Sequence, residues 1–334
     1  MTTSGTYVKT FTRQELINSS FRLVGVGVQG ENLSSEDMAN GVLACQMLLK
    51  HMTTQGLHLW KRQWIVVFMA EDQVRYRLGP GGDRACFEAS LTATTIGADE
   101  ATGQTVLTLT SSAGMSANDV FGVVLDDGSL FWTTIVSVDD ATTVTVTDAI
   151  TDAASAGAQV FSYPTTAVIP RPSRLANGFT RVWNVNVANN DTEMLMISEQ
   201  EYRILGNKNA QGRQNQYYYT PALGQGAYDV ATAKGDLYVY SQPNNTAYTS
   251  HFSAEIPVQN VDTDSADFDI PPEWFRALRY WLARDLAMEY GYPVSNMSQL
   301  SALAEQALDD VLGWDQEPAS LLLQPDLTRM GAWR

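Results

Sequence analysis

Between Ala85 and Pro170 the chain carries ten acids and neither a lysine nor an arginine, and threonine, serine, alanine and valine dominate the stretch. β-branched residues suit the half-buried surface of a sheet, whereas Ser, Asp and Gly suit turns. Residues 105–110 and 142–147 alternate polar with apolar side chains, the pattern of a half-exposed strand. Leu125-Asp126-Asp127-Gly128-Ser129-Leu130 sets an Asp-Gly turn between two apolar runs, a hairpin signal. Residues 85–164 are therefore expected to form a small all-β domain inserted into a loop of a host fold. Such insertions are tolerated at exposed loop tips where chain ends lie close together.

The host reads as helices at both ends with strands between. Thr12 followed by Glu15 has the form of a capping box; Leu16, Ile17, Phe21, Leu23 and Val24 follow, and Gly25 and Gly27 stop the run. A second helix starts at Ser34 or Ser35, with Glu36 and Asp37 where the macrodipole favours acid. Its stripe is Met38, Val42, Cys45, Leu49 and Met52. Strands are expected over 64–69, 73–78, 179–187, 193–197, 216–219, 236–240 and 251–256. Gly79-Pro80-Gly81-Gly82 is a strong breaker. Pro271-Pro272-Glu273 opens a third helix, with Phe275, Leu278, Leu282, Leu286 and Met288 on its apolar side. A fourth carries Leu300, Leu303, Ala304, Ala307, Leu308 and Val311.

The expected fold is α+β: a small α-helical bundle of four helices (12–25, 35–55, 272–290 and 298–312) with an antiparallel β region. Residues 1–84 and 165–313 form this core, with helical packing faces at Leu278, Leu282, Leu286, Leu303 and Leu308. The β insert occupies 85–164, and residues 314–334 form an extended C-terminal arm. The arm has no helical or strand period, yet holds Trp314, Leu321, Leu322, Leu323, Leu327, Met330 and Trp333. Apolar side chains without a period must be covered by something, and a neighbouring molecule is the expected cover.

The balance of 21 Lys+Arg against 37 Asp+Glu is a net −16, and 44% of the 334 residues are hydrophobic. That is enough apolar material for a sizeable core, and the charge argues against a protein that grips duplex DNA through cations. The longest apolar run, 64–70, is too short to cross a membrane, and residues 1–5 lack the character of a secretory signal. Two cysteines, Cys45 and Cys86, make neither a disulfide framework nor a zinc site.

Catalytic motifs are weak. Residues 25–30 match G-x-G-x-x-G but follow a helix instead of a strand and meet no acid about twenty residues on. His51, His58 and His251 lack metal-ligand spacing, and no nucleophile elbow or P-loop occurs. Cys45 falls on an apolar stripe and reads as a buried thiol. The acid pairs Asp126-Asp127, Asp139-Asp140 and Asp309-Asp310 read as turn formers or a solvated helix end, not as the facing carboxylates of a glycosidase. Phe121, Phe131, Trp132, Phe161 and Tyr163 read mainly as core of the insert, with a sugar-stacking platform as the alternative. No enzyme activity, cofactor or metal is expected.

The order of segments resembles the head-to-tail adaptors of tailed bacteriophages, also called tail accessory factors or DNA-stabilisation proteins. The stretches that carry it are 16–60 (LINSSFRLVGVGVQGENLSSEDMANGVLACQMLLKHMTTQGLHLW), 197–208 (ISEQEYRILGNK), 217–221 (YYYTP), 235–243 (GDLYVYSQP) and 270–292 (IPPEWFRALRYWLARDLAMEYGY). The resemblance covers most of 10–80 and 165–315, and neither the insert nor the tail after Trp314. It implies a virion protein: a ring of twelve copies beneath the portal that extends the DNA channel, helps retain packaged DNA and forms a platform for tail components. The implied partners are the portal protein, other copies of the chain and downstream tail or fibre proteins. Packaged DNA would pass without specific binding, and no membrane is involved. The portal contact would fall to the helical region and the arm. An acidic wall fits such a channel, since it repels phosphate within a screening length of about 8 Å. Two alternatives remain open: a tail module whose β insert recognises a glycan or fibre protein, and a cell-wall hydrolase using a carboxylate.

Overall fold

A computed structural model describes residues 11–26, 33–52, 61–183, 190–221, 233–246, 248–259, 268 and 270–315. The chain divides into two compact units, one built from both chain ends (Met1–Trp60 with Val258–Arg334), the other from Lys61–Pro257.

Among the described residues the first unit holds α1 (Arg13–Val24), α2 (Ser35–Met52), α4 (Phe275–Glu289) and α5 (Val294–Trp314), while the short α3 (Glu199–Ile204) lies in the second. At the start of α1 the Thr12 hydroxyl accepts the Glu15 N–H at 3.2 Å and the Glu15 carboxylate accepts the Thr12 N–H at 3.1 Å, so two orphan donors are satisfied reciprocally. Gly25, at φ 80°, closes the helix in the left-handed region, where glycine carries no Cβ penalty. Ser34 starts α2, its hydroxyl accepting the Asp37 N–H at 3.1 Å. A 3-10 turn, Pro272–Trp274, leads into α4.

α4 is the central helix and packs against α1, α2 and α5. Leu16, Ile17, Phe21, Cys45, Leu48, Leu49, Met52, Trp274, Leu278, Leu282 and Leu286 are buried in one core. Ala283 and Ala287 of α4 and Ala304 and Ala307 of α5 share it, small side chains that let helices approach closely. Leu303 departs from its expected packing role, being 40% exposed. The buried stripe of α5 runs through Leu300, Ala304, Ala307 and Val311, and Leu303 stands beside it, one residue off the 3.6-residue period. Leu308 is half-buried at the rim of that core, and Met288 is exposed.

The second unit contains two sheets. The larger has eight strands in the order β2-β13-β12-β11-β10-β14-β1-β3. These are β1 (Arg62–Phe68), β2 (Arg75–Leu78), β3 (Ala85–Phe87), β10 (Arg174–Val182), β11 (Asn190–Met196), β12 (Gln216–Thr220), β13 (Gly235–Tyr240) and β14 (Tyr248–Glu255). All neighbours are antiparallel except β11 and β12, which are parallel. Tyr76 and Leu78 of one edge strand and Ala85 of the other enter the same core as Ile65, Val67, Tyr217, Leu237 and Phe252, so the sheet curls around it. The smaller sheet has six strands in the order β4-β9-β6-β7-β8-β5. They are β4 (Thr92–Thr95), β5 (Val106–Thr108), β6 (Val120–Val124), β7 (Leu130–Val138), β8 (Thr143–Val146) and β9 (Gln159–Tyr163). A bridge between Ile96 and Leu109 joins the two ends of this sheet, which nearly closes it into a barrel around Phe121, Val123, Ile135, Val144 and Val160.

The expected four-helix bundle with a subordinate β region is overturned, because fourteen strands in two large sheets dominate the described residues. The reason is physical. Each helix advertises itself within one segment, whereas β1 acquires its neighbour β14 nearly two hundred residues later, and a local pattern carries no record of such pairing. β1 is buried continuously from Ile65 to Phe68 because both its faces are covered. Ile65 and Val67 point into the curled sheet's core; Val66 and Phe68 join Cys86, Val120, Phe161, Tyr163 and Ala167 in a second apolar layer against the barrel. This layer unites the two sheets, and β3, within the expected insert, belongs to the larger one.

Candidate functional site

Where the two sheets meet, a cleft of about 370 Å³ opens between the end of β1, the strand β2 and the hairpin β6–β7. The hairpin turns through residues 125–129, with Gly128 at φ 84°; its tip is tied to the larger sheet by Thr246, whose hydroxyl donates to the Gly128 carbonyl at 2.6 Å. On the other wall, the buried Tyr76 hydroxyl accepts the Ala70 N–H at 3.0 Å and donates to the Gln73 carbonyl at 3.0 Å, which shapes the loop from β1 to β2. Burial pushes its phenol above the ordinary tyrosine range. Phe68 forms the floor, with Trp132 edge-on at 4.9 Å, and the Arg84 guanidinium lies over the indole at 5.4 Å. Glu71, Gln73, Asp83 and Ser129 complete the lining. The cleft has the size and mixed lining of a ligand site, but among the described residues no histidine, cysteine or lysine lines it. Asp83 is occupied in accepting the Arg77 N–H at 2.6 Å. The arrangement can bind; it lacks a paired nucleophile and base.

A second constellation does have triad order. Thr249 Oγ1 lies 3.0 Å from His251 Nε2, and His251 Nδ1 lies 3.1 Å from Glu88 Oε1. Both Thr249 and His251 are fully buried, however, and the Trp183 indole N–H donates to Thr249 Oγ1 at 2.8 Å. Phe179 stacks on the imidazole at 4.7 Å. The hydroxyl is sealed from any substrate, so this is a satisfied polar core with a complete donor and acceptor account for a neutral ring. Desolvation by burial lowers the His251 pKa to about 3, with the Arg181 charge acting in the same direction and Asp191 opposing. Arg181 itself pairs bidentately with Asp191, at 2.8 and 2.9 Å. The fold alone joins these residues, since Glu88 and His251 lie 163 positions apart along the chain and no local pattern links them.

The other sequence candidates fall into structural roles. Asp126 accepts from the N–H and hydroxyl of Ser155, both at 2.9 Å. Asp139 accepts from Ser137 and Thr145, and Asp140 from Thr142; these bonds hold both carboxyls below the usual range. Asp309 and Asp310 sit exposed on α5. Gly25 is a helix cap, and Gly27 and Gly30 lie outside the described residues, as does His58. His51 is exposed at the end of α2. Phe121, Phe161 and Tyr163 are buried, Phe131 and Trp132 half-buried. Burial pushes the thiols of Cys45 and Cys86 up to about 12. No cluster of three or more metal-ligating side chains, and no helix long and apolar enough to cross a membrane, occurs among the described residues. Leu278, Leu282 and Leu286 are core. Trp314 is the last residue of α5, while Leu321, Leu322, Leu323, Leu327, Met330 and Trp333 lie outside the described residues.

The sequence matches no protein-family model and no curated protein.

On the outside of α2, Leu43 and Met47 are 57% and 54% exposed. They stand one helical turn apart on a face opposite the buried Ala44, Cys45, Leu48 and Leu49. Isolated exposed leucines are ordinary; a pair at this spacing gives the outer face of α2 a short apolar stripe.

Proposed function

We propose that the chain is a structural head-to-tail adaptor of a tailed-bacteriophage virion. It assembles as a ring, of twelve copies by the resemblance, beneath the portal, extends the DNA channel, helps retain packaged DNA and presents a platform for tail components. The observation that carries this reading is the convergence of the two stretches behind the helical resemblance, 16–60 and 270–292, in one unit. Ser20 donates from its hydroxyl to the Arg279 carbonyl at 3.2 Å, and Arg279 donates to the Ser19 carbonyl at 3.3 Å. Tyr290 donates to Asp37 at 2.7 Å and packs edge-on against Phe21 at 5.2 Å. Segments more than two hundred residues apart thus act as one module. That module carries the exposed Leu43 and Met47, and the chain continues from it into the apolar sequence after Trp314. Burying several such side chains at roughly 1.5–3 kcal/mol each offsets the ordering of a tail, and a ring repeats the gain around its circumference.

Sedimentation velocity decides it. The protein alone should sediment as a small species and, mixed with the portal ring of the same virus, move with it as a ring-sized complex. Leu43→Glu with Met47→Glu should abolish the shift. A mixture that sediments as two unchanged components at micromolar concentration would refute the adaptor reading.

The cleft beside Trp132 favours a second reading, in which the β unit recognises a glycan. An indole partly exposed beside Arg84, Gln73 and Asp83 offers a sugar an apolar contact and hydrogen-bond partners. Glycan-array binding that is lost in Trp132→Ala would establish it, and an array without signal would dismiss it.

A further inference from the structure

Arg75 and Arg77 stand on the outer face of β2, an edge strand of the eight-stranded sheet. Alternation along the strand puts both on one side, about 7 Å apart, while Tyr76 and Leu78 between and beyond them point into the core. Arg75 is anchored, donating to both oxygens of Asp236 at 3.1 and 2.7 Å and lying over the Tyr238 ring at 5.9 Å. The Arg77 guanidinium and the Lys234 ammonium make no hydrogen bond or ion pair among the described residues. All three cations line one open, shallow depression of about 420 Å³, together with Gln73, Gly81, Gly82 and Asp83. The glycines are required there. A Cβ on Gly82 would stand 2.2 Å from the Arg77 carbonyl, and Gly81, at φ 64°, leaves Lys234 Nζ only 3.8 Å from where its Cβ would project. The loop is folded flat against the β2 backbone, with Arg75 and Arg77 exposed and Lys234 half-buried.

In a chain of net −16, three cations against two carboxylates, Asp83 and the Asp236 that holds Arg75, leave a local surplus of one positive charge. Arg77 and Lys234 make no ion pair among the described residues although Asp83 lines the same depression, so both are available to an incoming anion. Among the described residues the lining has no apolar side chain, which a membrane surface would engage along with the cations and a buried small molecule would need. An open, wholly polar, cationic edge fits an extended polyanion held by charge alone. We propose that Arg75, Arg77 and Lys234 form a contact for the phosphodiester backbone of duplex DNA. The contact is weak and independent of sequence, since no element here enters a groove. It rests on the adaptor reading only for the source of the duplex, the DNA passing through the ring. There it would hold the last packaged turns against slippage, on a surface otherwise repellent to phosphate.

With Arg75 held by Asp236, the two unpaired cations predict a log–log salt slope of about −1.8, so that affinity falls about 12-fold between 50 and 200 mM salt. The test is fluorescence anisotropy of a labelled 20-base-pair duplex titrated with the full chain across that range. Arg77→Gln with Lys234→Gln should bring the slope close to zero and cut the 50 mM affinity at least tenfold. Both side chains are unpartnered, so the double variant should keep its melting temperature, and Arg22→Gln with Lys50→Gln, in the helical unit, should bind as the native chain does. Absence of binding at 50 mM salt overturns the proposal. So does a native slope in the Arg77/Lys234 variant, or binding to vesicles of one-third phosphatidylglycerol without binding to duplex. The adaptor reading fails by a different measurement, co-sedimentation with the portal, so either result stands without the other.

Discussion

Trp132 on β7 lies flat across Gly122, the residue directly opposite it on β6; a Cβ at Gly122 would stand 2.5 Å from indole Cζ3. An aromatic ring over a cross-strand glycine replaces the packing that the glycine cannot supply. The same ring faces the cleft between the sheets, so its position governs both the inter-sheet layer and the candidate site. Gly122→Ala should drive the indole off its seat and cost about 1–3 kcal/mol by overpacking. Its expected signs are a lower melting temperature and a tryptophan emission shifted towards the solvent-exposed maximum.

Buried His251 makes the β unit sensitive to acid. Its pKa is lowered from 6.5 to about 3 by burial, so the unfolded chain takes up the proton first. Stability from this group is complete above about pH 6.5 and is lost as pH falls towards 3, at a slope approaching 1.4 kcal/mol per unit. Between pH 6.5 and 4.5 most carboxylates stay ionised, which isolates the histidine. Urea midpoints across that window should fall steadily in the native chain and stay nearly level in His251→Gln.

Both thiols are sheltered, Cys45 in the helical core and Cys86 in the layer between the sheets. Since the thiolate is the nucleophile and burial holds both groups up to about 12, a maleimide at pH 7 should label neither in the folded protein and both in 6 M guanidinium. Rapid native labelling of Cys86 would show that the two sheets separate in solution.

The two faces of the C-terminal helix pair should respond unequally to truncation. Leu282 is wholly buried on α4 and Leu303 is 40% exposed on α5. Leu282→Ala should cost about 2–5 kcal/mol, and Leu303→Ala less than about 0.5 kcal/mol, read from chemical denaturation. If the adaptor reading holds, Leu303→Ala should instead weaken assembly.

Helices and hairpins were legible because their determinants are local. Thr12 and Glu15, Ser34 and Asp37, Gly25, and the turn Asp127-Gly128 each act within a few residues of themselves, and the alternation of β5 and β8 is visible in their threonines and valines. The order in which strands meet was not legible. β1 lies between β14 and β3, and β2 at the far edge pairs with β13; these neighbours are set by which apolar faces must be covered together, a property of the assembled core. For the same reason the helices drew more weight than they hold, and Leu303 was assigned to a face it misses.

Capping, φ preference and charge act over a few bonds, so the starts of the helices, the places of the turns and the acidic β character of the middle of the chain can be read from residue order alone. It took the folded chain to make two sheets share an apolar layer, to bring Thr249 and His251 together out of reach of solvent with Glu88 at their half-exposed rim, and to gather Arg75, Arg77 and Lys234 on one edge in a chain of negative charge. Those are relations between segments far apart along the chain, and they exist only once burial has chosen which faces turn inward.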